Sequence, residues 1–204
     1  MKEIFISLFF ILFGWGLAEV TYFAKEKVKT RKLKKALLEE IKDCFGYLQR
    51  ARLCLEEYIQ LAYFKKLSDS IPTKSPTQIF KNNFAEIYVY LKQAERISFN
   101  SIYQLLEAIH SQYDKIEALY PICQKDLTKL SDMNSLIEAT YSNILNALAI
   151  IRFHLDNSRK LNLSFWDETR TQQFQNEIKK GIIVLLNEAK EKGLEEILKK
   201  YNIK

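Results

Sequence analysis

Very little in this chain can break a helix. Its 204 residues include only five glycines and three prolines, and that scarcity predicts long helices joined by short turns. Cysteine is nearly as scarce. Cys44, Cys54 and Cys123 are odd in number and show no CxxC spacing, so no disulfide framework is expected and the pattern suits a reducing compartment. Each reads as a small buried hydrophobe. There is no Walker A loop and no glycine-rich strand-to-helix turn to cradle a phosphate. No cofactor is expected.

Histidine is limited to His110 and His154. Glu107-x-x-His110 matches one Glu-x-x-His element of a di-iron bundle, which requires two. Ile151 stands where the second glutamate would precede His154, so no metal site is expected. Neither histidine has a nucleophile beside it in sequence, and no Ser–His or Cys–His pair can be assembled from the sequence alone.

An excess of one charge is also missing from most of the chain. The 31 basic and 25 acidic residues leave a net charge of +6. Lys25, Lys27, Lys29, Arg31, Lys32, Lys34 and Lys35, opposed by Glu26 alone, account for all of it. The remaining residues carry 24 charges of each sign. The domain therefore lacks the positive field that nucleic-acid binding needs, and the basic block is expected to lie on anionic headgroups.

What the sequence does have is an apolar beginning. Ile4 to Ala24 is hydrophobic apart from Ser7, Glu19 and Thr21. Its length of about 20 residues, at ~1.5 Å each, matches the ~30 Å hydrocarbon core of a bilayer. Residues 1–24 are read as a transmembrane anchor and 25–35 as a juxtamembrane basic segment. Positive charge stays inside, which places the N-terminus outside and residues 36–204 in the cytoplasm, on a single-pass protein of the cell membrane. Glu19, Tyr22 and Phe23 belong to the interface. Gly14-x-x-x-Ala18 would let two spans approach closely and self-associate. The rival reading is a signal peptide cleaved after Gly16-Leu17-Ala18, which gives an exported protein; seven cations close behind that site argue against export.

Beyond the basic block the apolar residues follow a helical period. Leu37, Ile41, Cys44, Leu48, Ala51, Leu55 and Tyr58 form one stripe, and no proline interrupts it back to the anchor. Ser75-Pro76-Thr77-Gln78 reads as a capping box. The helix it opens is expected to run unbroken to Tyr120, with Ser98–Ser101 as its weak spot, and Pro121 to end or kink it. Ile137, Tyr141, Ile144, Leu148 and Ile151 form the next stripe, with a candidate break at Ser131–Ser135. Ser164–Asp167 opens the last helix. Gly181 suggests close packing, Gly193 a C-cap, and Leu194–Tyr201 a short tail helix.

Together these segments predict an all-α protein. A single N-terminal transmembrane helix continues, coiled-coil fashion, into an elongated antiparallel four-helix bundle. Up-down-up-down order places the Tyr120–Pro121–Ile122 turn and the C-terminus near the membrane.

The functional reading is a membrane-anchored interaction or scaffold protein without catalytic activity, bound to an anionic bilayer and to itself or an unknown protein. Phe165 and Trp166, an apolar pair beside a polar linker, are the candidate partner contact. The alternatives are a tethered enzyme or toxin-like effector with a site near Arg152 and His154, and the exported bundle.

Overall fold

The structure, a computed structural model, describes residues 2–156 and 168–203; the side chains of residues 1–11, 157–171 and 173–175 lie outside the described set. It is all-helical among these residues. The elements are α1 (Lys2–Tyr63), α2 (Gln78–Tyr88), α3 (Gln93–Lys125), a 3₁₀ turn at Leu127–Lys129, α4 (Leu130–Asp156) and α5 (Glu168–Lys200). α1 alone has 62 residues, about 93 Å of continuous helix at ~1.5 Å per residue.

The apolar stripes go where their period sends them. Leu37, Ile41, Cys44, Leu48, Ala51, Leu55 and Tyr58 of α1 are buried, and they pack with Ile102, Leu106, Ile109, Tyr113 and Ile116 of α3 and Ile137, Tyr141, Ile144, Leu148 and Ile151 of α4 in one core. α4 touches α1, α3 and α5, as expected of the segment most apolar around its circumference.

Four helix boundaries differ from the sequence reading, and at two of them another helix intervenes. The Ser75 capping box does not form. α2 starts at Gln78 with no side-chain cap from Thr77. Glu40 of α1 reaches across instead and accepts from the backbone N–H of Ile79 (2.6 Å) and Phe80 (3.0 Å). A charged acceptor at a helix N-terminus outcompetes a hydroxyl. The expected helix from Thr77 to Tyr120 is divided at Val89–Lys92 rather than at Ser98–Ser101. The new start is fixed by Glu95, whose carboxylate accepts from the Lys92 backbone N–H at 3.0 Å and pairs with Lys34 of α1. Pro121 does not end α3, which continues to Lys125. Nor does α4 break at Ser131–Ser135: Ser135 Oγ bonds back to the Ser131 carbonyl at 3.0 Å, inside the helix.

These boundaries redirect the chain. After Tyr63 the backbone returns along α1 without regular structure: Cys54 Sγ donates to the Ser70 carbonyl and Cys44 Sγ to that of Pro76. α2 completes the return, with Glu86 paired to Lys29 and the Tyr90 hydroxyl donating to Glu26. α3 then retraces α1 in the same direction, Glu95 beside Lys34, Tyr103 beside Glu40 and Tyr120 bonded to Asp69. α4 runs against both: Ser98 meets His154, Gln112 meets Asn143, and Glu56 meets Tyr141. Strict alternation therefore fails at α3. Tyr120 lies at the end remote from Lys25–Lys35, and so does the C-terminal segment, whose Tyr201 bonds Gln60.

The glycine expectations divide. Gly193 has φ +75° and ψ 169° and separates the body of α5 from a terminal stretch of helix. Among the described residues, no heavy atom beyond its chain neighbours and its own helix backbone lies within 4 Å of a Cβ added to Gly181, so no close packing of another element is seen there.

Candidate functional site

The expected span, Ile4–Ala24, falls partly on side chains outside the described set. Among the described residues no helix is long and apolar enough to cross a membrane. The described remainder is nonetheless unusual. Leu12, Phe13, Trp15, Leu17, Val20, Tyr22 and Phe23 are all exposed, Trp15 at 67%. At 100° per residue they point out on several sides of the helix. Gly14 and Ala18 are exposed too, and among the described residues nothing beyond its chain neighbours and its own helix backbone lies within 4 Å of a Cβ added to Gly14.

The basic segment follows directly, still within α1. Lys25, Lys27, Arg31, Lys32 and Lys35 are exposed, and no ion pair engages them among the described residues. The other two cations are drawn into the fold. Lys29 pairs with Glu86, whose carboxylate raises its pKa above the ordinary lysine value. Lys34 is partly buried beside Glu95. An open groove of about 610 Å³ on this face is lined by Thr21, Ala24, Val28 and Leu33 together with Lys25, Lys29 and Lys32. Aliphatic and cationic side chains alternate along it.

The histidines acquire serine partners that the sequence did not reveal. His110 Nε2 accepts from the Ser75 backbone N–H at 3.1 Å and lies 3.0 Å from Ser75 Oγ. A nitrogen whose lone pair is already taken by an amide is a poor general base. Burial, then Lys74 and Lys81, lower its pKa and keep the ring neutral. His154 Nδ1 lies 2.6 Å from Ser98 Oγ, and its ring meets Phe99 edge-on at 4.7 Å. Only 1% of His154 is exposed, and burial pushes its pKa down to about 4. Arg152, the other half of the proposed effector site, is 76% exposed at its side chain and faces Asp156 at 3.9 Å. The structure does not bring Arg152 and His154 together. Each histidine ties an irregular or neighbouring segment to the core.

The cysteines are free thiols, with Cys44 and Cys123 buried. Burial pushes the pKa of Cys44 and of Cys54 up to about 12, so neither offers a thiolate near neutral pH. No cluster of three or more His, Cys, Asp or Glu side chains arranged to hold a metal occurs among the described residues. The cavity between Tyr58, Asn134 and Leu186 measures about 110 Å³, well below the roughly 300 Å³ at which small-molecule pockets begin. Phe165 and Trp166, the candidate partner contact, lie outside the described residues.

Sequence reasoning missed the polar groups that organise the bundle. Glu40 is buried, caps α2 and accepts from the Tyr103 hydroxyl at 2.6 Å. Gln60, fully buried, donates to the Leu185 carbonyl (3.2 Å) and to Glu188 (2.9 Å) and accepts from Lys200 (3.2 Å) and Tyr201 (2.7 Å). Bonds from Lys192 and Lys200 hold the Glu188 carboxyl down at about 2. The available signal was position: Glu40 adjoins Ile41 and lies one turn from Leu37, and Gln60 stands between Ile59 and Leu61.

No family model, curated protein or solved structure matches this chain.

Proposed function

We propose that this chain is a membrane-anchored interaction protein, with Ile4–Ala24 as a single span, its N-terminus outside and the helical bundle in the cytoplasm. The observation that carries the proposal is the order of surfaces along α1. Large exposed apolar side chains from Leu12 to Phe23 give way within one turn to exposed cations at Lys25, Lys27, Arg31, Lys32 and Lys35. Exposed apolar surface on this scale calls for a nonaqueous partner, and Ile4–Ile11 extend the same character in sequence. Cations beside a span orient it and bind anionic headgroups, at about 1 kcal/mol each. Lys29 and Lys34, occupied by Glu86 and Glu95, contribute less than the sequence alone implies. Gly14 and Ala18 supply a surface for self-association of the span. The role is binding without catalysis, cofactor or nucleic acid, and the neutral, internally satisfied histidines favour it over an effector enzyme.

Two measurements test the reading. A reporter active only in the cytoplasm, fused after Lys204, should be active, and the protein should remain in membranes washed with alkaline carbonate. Replacing Lys25, Lys27, Arg31, Lys32 and Lys35 by Gln should scramble or invert the reporter's orientation, because these residues carry the positive-inside signal. A processed chain starting after Ala18, or extraction by carbonate, would overturn the anchor.

A further inference from the structure

We propose that the turn between α2 and α3, Tyr88 to Lys92, is a second membrane contact that seats the bundle on an anionic phospholipid surface. The inference rests on the reading of α1 as a span and goes beyond it, because the turn is some 65 residues distant in sequence and only the tertiary structure brings it to the basic segment.

Placement comes first. The Tyr90 hydroxyl donates to Glu26 Oε2 at 3.1 Å, and Glu86 at the end of α2 pairs with Lys29. Glu26 is two residues past Ala24, about 3 Å along the helix. A bilayer whose hydrocarbon ends near Ala24 therefore has its headgroups at the level of this turn.

Composition comes second. Val89 is 72% exposed, and no large apolar side chain among the described residues is more so. Tyr88 and Tyr90 are exposed beside it. The Arg96 guanidinium lies over the Tyr88 ring at 4.8 Å, and Lys92 is exposed. Tyrosines with an aliphatic tip and flanking cations are what a membrane–water interface selects.

The backbone supplies a third argument. A turn entering an interface must give up water at its N–H groups. Here Tyr90 N–H donates to the Ile87 carbonyl (2.9 Å), Leu91 N–H to that of Tyr88 (3.3 Å) and Lys92 N–H to Glu95 (3.0 Å). Three successive donors are satisfied internally, which lowers the cost of leaving water. A lipid surface suits the turn better than a protein partner because its Tyr90 is bonded to Glu26, within one helical turn of exposed Tyr22 and Phe23 and inside the basic segment. Two contacts, a span and a turn, fix the tilt and rotation of the bundle where a span alone leaves rotation free.

The test uses the full-length chain in vesicles of phosphatidylcholine and phosphatidylglycerol with brominated acyl chains, which quench tryptophan on contact. The natural tryptophans are Trp15 and Trp166. Trp166→Phe leaves Trp15 to report on the span. Val89→Trp in a Trp15→Phe, Trp166→Phe background reports on the turn, and Ile122→Trp in the same background reports on the opposite end of α3. The expected result is strong quenching of Trp15, about twofold quenching at position 89 and less than about a tenth at position 122, as interfacial burial predicts. Replacing phosphatidylglycerol by phosphatidylcholine, or combining Lys92→Gln with Arg96→Gln, should weaken quenching at 89. Quenching indifferent to both would overturn the anionic-lipid assignment. Quenching of Trp15 without quenching at 89 would overturn this proposal and leave the span standing. An unquenched Trp15 would remove both. Protection of position 89 from aqueous acrylamide without bromolipid quenching would assign the turn to a protein partner and overturn the proposal.

Discussion

Single polar residues decide where the elements of this protein begin and how they are tied. Glu40 caps α2 through two backbone N–H groups and takes the Tyr103 hydroxyl as a third donor. Tyr103 is buried and stacks on Phe80 at 3.7 Å, so removing the carboxylate strands a hydroxyl in the core as well as a helix end. Glu40→Ala should cost roughly 2–4 kcal/mol, the sum of a lost cap and an unsatisfied buried donor. Urea denaturation would show it, and α2 should lose amide protection first. His154 predicts a pH dependence of definite sign. Its folded-state pKa of about 4 lies below the unfolded value near 6.5. Above pH 6.5 both states are neutral and nothing is gained or lost. As pH falls from 6.5 toward 4 the unfolded chain takes up a proton that the folded chain refuses, so stability falls, by roughly 3 kcal/mol in all. Glu95 opposes the shift and Lys34 adds to it. The lowered pKa of His110 acts in the same direction. Melting temperature against pH should therefore drop across this window, and His154→Phe should flatten, without abolishing, the slope.

At the scale of elements, the end of α5 is the clearest case of one residue permitting a structure that others hold. Gly193 adopts φ +75° and ψ 169°, a region essentially reserved for glycine. The kink turns Leu194–Lys200 back onto α1, where Ile197 packs with Leu61 and where Gln60 meets Lys200 and Tyr201. Gly193→Ala should cost about 1–3 kcal/mol through backbone strain. Hydrogen exchange should place the loss in residues 194–203, with α3 and α4 unchanged. A uniform loss across the chain would mean that this segment and the main core open together.

For the whole molecule, α4 is the member that α1, α3 and α5 share. Leu148 lies on its buried face in the main core. Leu148→Ala should destabilise the protein by about 2–5 kcal/mol, through lost transfer energy and the cavity left behind. Because three helices meet there, the loss should lower one cooperative transition rather than release one element. The same architecture gives the bundle two dissimilar ends. One gathers Lys25–Lys35, the α2–α3 turn and the end of α4; the other gathers Tyr120, Asp69 and the Gln60 network.

Sequence by itself determined the all-helical class, the buried stripes of α1, α3 and α4, the glycine at 193 and the compact basic block. These follow from local rules: a period of 3.6 residues, the steric freedom of glycine, and charge counted along the chain. Tertiary structure alone decided the rest. It moved the cap of α2 from Ser75 to Glu40, broke the second helix at Val89–Lys92 where no glycine or proline stands, and carried α3 through Pro121. It also turned α3 parallel to α1 and so exchanged the loops found at each end. For the starts of α2 and α3 the physical reason is the same. A helix terminus goes where its orphan N–H groups find the best acceptor, and here the acceptors, Glu40 and Glu95, are held in place by partners on other helices, Tyr103 and Lys34, that no local pattern could have named.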